Sequence, residues 1–133
     1  MSRDPRTAIQ TPDAPAAIGP YAQGRTGPLT GRWVVSSGQV GLDPATGILV
    51  PGGVGPQTER ALRNLEAVLK AGNATPGDVV KTTVYLIDMA DFAAMNEAYA
   101  RFFPDPKPAR STVAVRALPK DARVEIEVWA FIP

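Results

Sequence analysis

The sequence predicts an α+β fold, a mixed β-sheet with two helices packed on one of its faces. Three observations lead there. Two segments place apolar residues at helical spacing, several others alternate apolar and polar residues with a period of two, and they follow one another as strands, helix, strand, helix, strand, strand.

The 133 residues fit one domain, 1–133, with no internal repeat and no linker long enough to divide it. The 14 prolines crowd at 5–28, 44–56 and 104–119, which marks those stretches as loops and turns. Residues 1–12 read as a flexible N-terminal arm. With Pro5, Pro12, Pro15 and Pro20, the first twenty residues are extended and cannot be helical. Arg32–Val40 is rich in β-formers and reads as a strand, followed by a turn at Asp43–Gly47. From Gln57 to Ala71, Ala61, Leu62, Leu65, Val68 and Leu69 recur at helical spacing opposite Arg60, Arg63, Glu66 and Lys70. This amphipathic helix closes at Gly72-Asn73.

Asp78–Ile87 alternates, with Val80, Thr82, Val84 and Leu86 on one face and Lys81, Thr83 and Tyr85 on the other, and reads as a strand. A second helix is expected from about Asp91 to Phe103, with Phe92, Met95, Tyr99, Phe102 and Phe103 on one side. Arg110–Arg116 and Arg123–Ile132 close the chain as two strands joined by a tight turn at Leu118–Asp121.

Strand phase adds to this. Val124, Ile126, Val128, Ala130 and Ile132 form an apolar face suited to lie under the helices, while Arg123, Glu125, Glu127, Trp129 and Phe131 face away. In the preceding strand Val113 and Val115 share the apolar side, which turns Arg110, Thr112 and Arg116 to the other. Two helices cover one face only, so Trp129, Phe131 and Tyr85 would leave a sizeable exposed apolar patch. A second subunit is expected to cover it.

The chain has no histidine and no cysteine, which excludes disulfides, thiol nucleophiles, imidazole triads and Cys- or His-based metal centres. Acid–base work falls to Asp, Glu, Lys and Tyr, with or without an ordered water. Fourteen basic residues against 13 acidic ones, mixed along the chain, give no basic stripe of the kind nucleic-acid binders show. No apolar run is long enough to span a bilayer and Met1–Gln10 lacks a secretory segment, so a cytoplasmic location is expected. No Gly-rich loop has the spacing of a phosphate-binding motif.

Five places could carry chemistry. Arg110, straight after Pro108-Ala109, offers a guanidinium able to grip a carboxylate with two parallel hydrogen bonds; a structural ion pair is the alternative. Glu125 and Glu127 are same-face carboxylates in a strand, either paired with Arg110, Arg116 or Arg123 or handling a water. Asn96 falls on the apolar side of its helix, where a buried amide must find partners. Tyr21, and Ser37-Gly38 interrupting an apolar strand, are weaker signals; glycine inside a strand marks a bulge or a close approach.

These residues lie in blocks with a family likeness. Ala14-Pro15-Ala16-Ala17-Ile18-Gly19-Pro20-Tyr21-Ala22-Gln23-Gly24, Ser36-Ser37-Gly38-Gln39, Val79–Leu86, Asp91-Phe92 to Phe103, Pro108-Ala109-Arg110-Ser111-Thr112-Val113, Leu118-Pro119-Lys120-Asp121 and Glu125-Ile126-Glu127 resemble the RidA family of reactive intermediate deaminases, also called YjgF-like proteins. The resemblance runs from about residue 12 to the end of the chain.

It implies a chorismate-mutase-like fold and a homotrimer whose sheets form a central barrel, with active sites in the clefts between subunits. It also implies hydrolysis of enamines and imines such as 2-aminoacrylate and 2-iminopropanoate, released by pyridoxal-phosphate enzymes, to 2-keto acids and ammonia. No cofactor and no metal is implied. Matched by position, Arg110 is the arginine that holds the substrate carboxylate, Glu125 the glutamate that orients water and Tyr21 the tyrosine lining the pocket. Ser37, Gly38, Asn96, Thr112 and Pro119 match other pocket positions. Thr112 stands where the family often has cysteine. Some family members have been labelled ribonucleases or translation inhibitors; metal-free RNA cleavage commonly leans on histidine pairs and RNA binding on a basic surface, and this chain has neither. A non-enzymatic chaperone or metabolite-binding trimer is the third reading.

Overall fold

The structure, a computed structural model, describes residues 4–133. Two helices lie on one face of a five-stranded sheet, as the residue patterns predict. The strands are β1 (Thr7–Ile9), β2 (Gly24–Thr26), β3 (Arg32–Val35), β4 (Gln39–Val40), β5 (Val79–Leu86), β6 (Ala109–Ala114) and β7 (Val124–Ile132). The helices are α1 (Val54–Ala71) and α2 (Phe92–Ala100). The sheet runs β3-β7-β5-β6, with β4 also on β7. β7 is antiparallel to β3, β4 and β5, and β5 is parallel to β6, so the sheet is mixed. The parallel pair is joined through α2, the crossover such a pair needs.

β7 lies in the middle of the sheet because its alternation is complete. Val124, Ile126, Val128 and Ala130 are fully buried under the helices. α1 meets them with Leu62, Leu65 and Leu69, and α2 with Met95 and Tyr99. Full burial of a Leu or Met side chain contributes about 1.5–3 kcal/mol, so Leu65→Ala, which also leaves a cavity, is expected to cost about 2–5 kcal/mol.

α1 starts at Val54, ahead of the expected Gln57. Gly52 and Gly53 take φ of 109° and 88°, a left-handed backbone that lets the chain turn sharply into the helix. α2 is shorter than expected. It is preceded by a 3-10 turn at Met89–Asp91, capped by the Asp88 carboxylate accepting from the Ala90 amide. It stops at Ala100, just before Phe102-Phe103-Pro104.

Several expectations need correction. The Arg32–Val40 strand is two strands with a break at 36–38. The last two strands do not pair across a tight turn, because β5 lies between them. Their connection contains the 3-10 turn Pro119–Asp121, in which Lys120 and Asp121 both have positive φ, 59° and 56°. At the start of β5 the register slips between Val79 and Lys81, which buries Val79 in place of Val80.

The face away from the helices leaves Trp33, Val35, Val113 and Trp129 exposed. Phe131, expected in that patch, is only 4% exposed; its ring packs 4.9 Å from that of Trp33. Residues 1–3 of the arm lie outside the described residues. From Arg6 onward it is docked: Arg6 donates to Asp78 Oδ1 at 2.6 Å and to the Phe131 carbonyl at 2.9 Å, and β1 pairs with β2. No helix among the described residues is long and apolar enough to cross a membrane.

Candidate active site

The site is built around Arg110, the second residue of β6. Parallel pairing sets Arg110 beside Thr82 and Thr112 beside Val84. Thr82 and Val84 are buried under the helices. Arg110 and Thr112 therefore lie on the helix-covered face, opposite to the expectation from Val113 and Val115. The apolar residue in the expected inward position, Val113, is 44% exposed on the other face. β6 is the sheet's edge, and its inward positions are occupied by a cation and a hydroxyl.

Three aromatic rings surround the guanidinium. Its central carbon lies 4.8 Å from the Tyr99 ring centroid, 5.4 Å from Tyr21 and 5.6 Å from Phe92, all within cation–π range. Phe92, Asn96 and Tyr99 reach it from α2, spaced so that all three share one helix face. Tyr21 is brought in by the backbone: the Ala22 amide donates to the Pro108 carbonyl at 3.1 Å, and Ala22 bridges to Ala109. Gly19 lies close by, where an added Cβ would sit 3.6 Å from Arg110 Nη2.

Arg110 Nη1 donates to Asn96 Oδ1 at 2.6 Å. The buried amide thus finds its partner in the cation. No carboxylate pairs with Arg110 among the described residues. Guanidinium has five N–H donors, so most of this one's hydrogen-bonding capacity is open to a ligand. Burial pushes the Arg110 pKa down, opposed by Tyr99 and Tyr21, and the group stays charged at neutral pH. Beneath it the Tyr99 hydroxyl shares a buried 2.8 Å hydrogen bond with Thr82 Oγ1. Burial pushes the Tyr99 pKa up to about 12, with Thr82 and Arg110 pulling the other way. The Thr112 hydroxyl is buried without a partner among the described residues.

Glu125 belongs to a second cluster. It pairs in register with Tyr85 and with Val40, and its neighbour Ile126 points under the helices, so Glu125 faces away from them. Val35 is opposite Trp129 but Gln39 is opposite Ile126, so four steps along one strand match three along the other. The extra residue falls at Ser36–Gly38, where the Ser36 hydroxyl accepts from the Val128 amide at 2.9 Å. Ser37 is exposed on this bulge. At Gly38 a Cβ would lie 2.7 Å from Glu125 Cδ, so the glycine lets the carboxylate pass against the backbone. Glu125 and Glu127 form no ion pair with Arg110, Arg116 or Arg123; Arg123 binds Asp91 instead, at 2.8 Å. Partial burial raises the pKa of the nearby Tyr85 hydroxyl, helped by Glu127 and Glu125.

Within one chain, Arg110, Asn96, Tyr21 and Thr112 thus belong to the first cluster, and Glu125, Ser37 and Gly38 to the second, on the opposite face of the sheet. Pro119 is exposed at the head of the 3-10 turn before β7. Sequence reasoning missed Phe92 and Tyr99 as site residues. Their spacing with Asn96 was the available signal, read there as core packing.

The family model described as Endoribonuclease L-PSP matches residues 11–132. Over 130 residues the chain is 50% identical to a mouse 2-iminobutanoate/2-iminopropanoate deaminase, covering 98% of this chain and 94% of the relative. The chain belongs to the RidA family. The human protein of the same name is 46% identical to this RidA-family chain, covering 98% of it and 93% of the relative. Among solved structures, RidA from an Antarctic Psychrobacter bacterium superposes with a TM-score of 0.74 at 42% identity, covering 95% of this chain and 99% of that one. E. coli TdcF with bound serine has a TM-score of 0.73 at 41% identity, covering 96% and 99%. These likenesses extend over the α+β fold described above.

Proposed function

We propose that this protein is a hydrolytic deaminase of reactive enamines and imines of the 2-aminoacrylate and 2-iminopropanoate type, yielding 2-keto acids and ammonia. The observation that carries the reading is Arg110: a half-buried guanidinium, boxed by three rings, whose hydrogen-bonded partner is a neutral amide and which no carboxylate neutralises among the described residues. It lacks an anion, and a 2-imino acid supplies one as its α-carboxylate. The curated relatives named for this activity support the substrate class, as does the serine bound in TdcF, an amino acid with the same carboxylate.

Arg110 binds the carboxylate, at about 1.5–3 kcal/mol for a charge-assisted contact. Tyr21 closes over the ligand, and Asn96 holds the guanidinium in register. Glu125 orients the attacking water and takes its proton as the water oxygen bonds to the C=N carbon, then returns that proton to the nitrogen, giving a neutral carbinolamine. Glu125 next takes the carbinolamine hydroxyl proton and passes it to the amino nitrogen, so the C–N bond breaks, ammonia leaves, the carbonyl forms and the carboxylate is restored. Ser37, Gly38 and Pro119 shape the water's side of the cleft, and Thr112 offers its hydroxyl to ligand or water.

Arg110 and Glu125 lie on opposite faces of one sheet, so this chemistry needs a second subunit to contribute Glu125, and the family resemblance makes that assembly a homotrimer. The exposed Trp33, Val35, Val113 and Trp129 supply the apolar surface for such an assembly. Pyridoxal-phosphate enzymes that eliminate water from hydroxy-amino acids would supply the substrate.

The test couples a serine or threonine dehydratase to the protein and follows keto-acid formation. Arg110→Ala should abolish the acceleration, and an unchanged rate overturns the anchor. The family model's description as an endoribonuclease favours a second reading, RNA cleavage. It predicts nuclease activity that survives stringent repurification. The lack of histidine and a net charge of +1 weigh against it.

A further inference from the structure

An ion pair that neither cluster of the candidate site contains, Asp91–Arg123, stands where α2 and β7 begin. Asp91 ends the 3-10 turn and directly precedes Phe92, the first residue of α2. Arg123 directly precedes β7, two residues before Glu125. Arg123 Nε donates to Asp91 Oδ2 at 2.8 Å, and Nη2 lies equally close to the same oxygen. The Asp91 side chain is only 16% exposed.

The two partners are held differently. The backbone of Arg123 is fixed without help from its side chain. Its amide donates to Oε1 of the buried Gln57, in α1, at 2.9 Å, and its carbonyl accepts from the Ile87 amide, just past β5, at 3.3 Å. The guanidinium therefore stands on a point tied to α1 and to β5, and all of these contacts lie within one chain.

Asp91 has no comparable anchor of its own. An aspartate at a helix start ordinarily accepts from the amides of its own first turn. Asp91 makes no such bond, and the capping falls to Asp88 one turn earlier. Its carboxylate is left to reach across to β7. With 9 residues, α2 is too short to be stable alone and depends on tertiary contacts. Met95 is buried beneath it, but a thioether chain adapts and does not fix a helix's roll. The later turn is tied by the Tyr99–Thr82 hydrogen bond at 2.8 Å. The first turn is tied by Asp91–Arg123. That first turn begins with Phe92, whose ring lies 5.6 Å from the Arg110 guanidinium, and leads to Asn96, which accepts from Arg110 at 2.6 Å. A shift of about an ångström at the helix start would take the latter bond out of range.

We propose that Asp91 and Arg123 are positioning residues for the deamination. Arg123, fixed by its backbone, holds the start of α2 through Asp91, so that Phe92 and Asn96 keep Arg110 aimed at the substrate carboxylate. The inference rests on the deaminase reading and on Arg110 as its anchor. An ion pair of purely structural worth would change the melting temperature and leave KM alone.

The test is steady-state kinetics on 2-iminobutanoate generated in situ, at a temperature where melting curves show each variant folded. Asp91→Asn keeps the shape and removes the charge. It should raise KM about tenfold with kcat nearly unchanged, the pattern of a weakened carboxylate contact. Arg123→Gln should do the same, and Arg123→Lys, which keeps the charge but loses the fork, should recover part of the loss. If Asp91→Asn does not fold, the order of KM values from wild type through Arg123→Lys to Arg123→Gln decides. A second readout needs no turnover: the Arg110 Nε–Hε resonance, assigned by its loss in Arg110→Ala, should move in Asp91→Asn. Unchanged KM in folded variants of an active wild type, or an unmoved Arg110 resonance, overturns the positioning role. A fall in kcat at constant KM also overturns it, by assigning the pair to the Glu125 side. A wild-type protein without deaminase activity instead overturns the reading of function on which the proposal rests.

Discussion

At the scale of single residues, the Arg110 neighbourhood holds two groups whose cost to the fold is measurable. The first is the Thr112 hydroxyl, buried and unpartnered among the described residues. A buried hydroxyl without a hydrogen bond costs about 1–3 kcal/mol, so Thr112→Val, nearly the same shape, should stabilise the ligand-free protein by about 1 kcal/mol. If the hydroxyl serves ligand or water, the same variant lowers kcat/KM. A higher melting temperature with unchanged kcat/KM would remove Thr112 from the site. The second is Tyr99. Its folded pKa of about 12 against an ordinary value of about 10 means that the fold holds the phenol proton more tightly than the unfolded chain does. That stability is fully present below pH 10 and is lost as pH rises through 12. About 2 kcal/mol should be gone by pH 12. Tyr99→Phe should lack this decline while losing about 1 kcal/mol at neutral pH with the Thr82 hydrogen bond. Denaturant unfolding at several pH values separates the two. The sequence showed Arg110 and Asn96 as candidates, because a guanidinium after Pro108 and an amide on an apolar helix face are both conspicuous. It did not show that each is the other's partner, a pairing made only when α2 packs over β6.

At the scale of elements, the phase of β7 was legible and that of β6 was not, and the reason is physical. β7 has neighbours on both edges and the helices across one face, so burial alone decides which residues point inward. β6 is an edge strand on which both faces have a use. Val113 looks inward by hydropathy but is 44% exposed, while Arg110 is drawn to the helix side by Phe92, Tyr99 and Asn96. The bulge at Ser36–Gly38 was partly legible, since glycine inside an apolar strand signals a bulge or a close approach, and here it is both. Its role leads to a prediction. An alanine Cβ at Gly38 would sit 2.7 Å from Glu125 Cδ and 2.9 Å from its Oε2. The carboxylate end can swing away, so Gly38→Ala should fold with a loss of stability within about 1 kcal/mol. Displacing a water-orienting group by even an ångström can cost about a hundredfold in rate. The expected result is a kcat reduced tenfold or more with KM nearly unchanged, because Arg110, the proposed carboxylate anchor, lies on the other face. A proportional rise in KM alone would contradict the division of labour between the two clusters.

At the scale of the whole molecule, that division becomes a statement about assembly. A single chain offers the Arg110 guanidinium cluster on the helix-covered face and the Glu125 carboxylate cluster on the other, separated by the sheet. No side-chain rotation carries Glu125 through a strand ladder, so one chain cannot place both groups on one substrate. The same sheet face also exposes two tryptophans, 58% and 46% accessible, which a monomer has no reason to leave in water. Both facts are answered if the Arg110 cluster of one subunit meets the Glu125 cluster of the next around a closed ring. Strand phase predicted the contact but not its symmetry, which depends on the angle between subunits rather than on any one chain's pattern. The ring makes a quantitative prediction. Arg110→Ala and Glu125→Gln should each be inactive alone, since each spoils one half of every site. After denaturation and refolding as an equal mixture, a site is intact when the subunit giving the arginine is the Glu125→Gln variant and the one giving the glutamate is the Arg110→Ala variant. Random assembly meets both conditions in about a quarter of sites, so about a quarter of the wild-type turnover should return. If both residues served the same subunit's site, no mixture could restore any turnover.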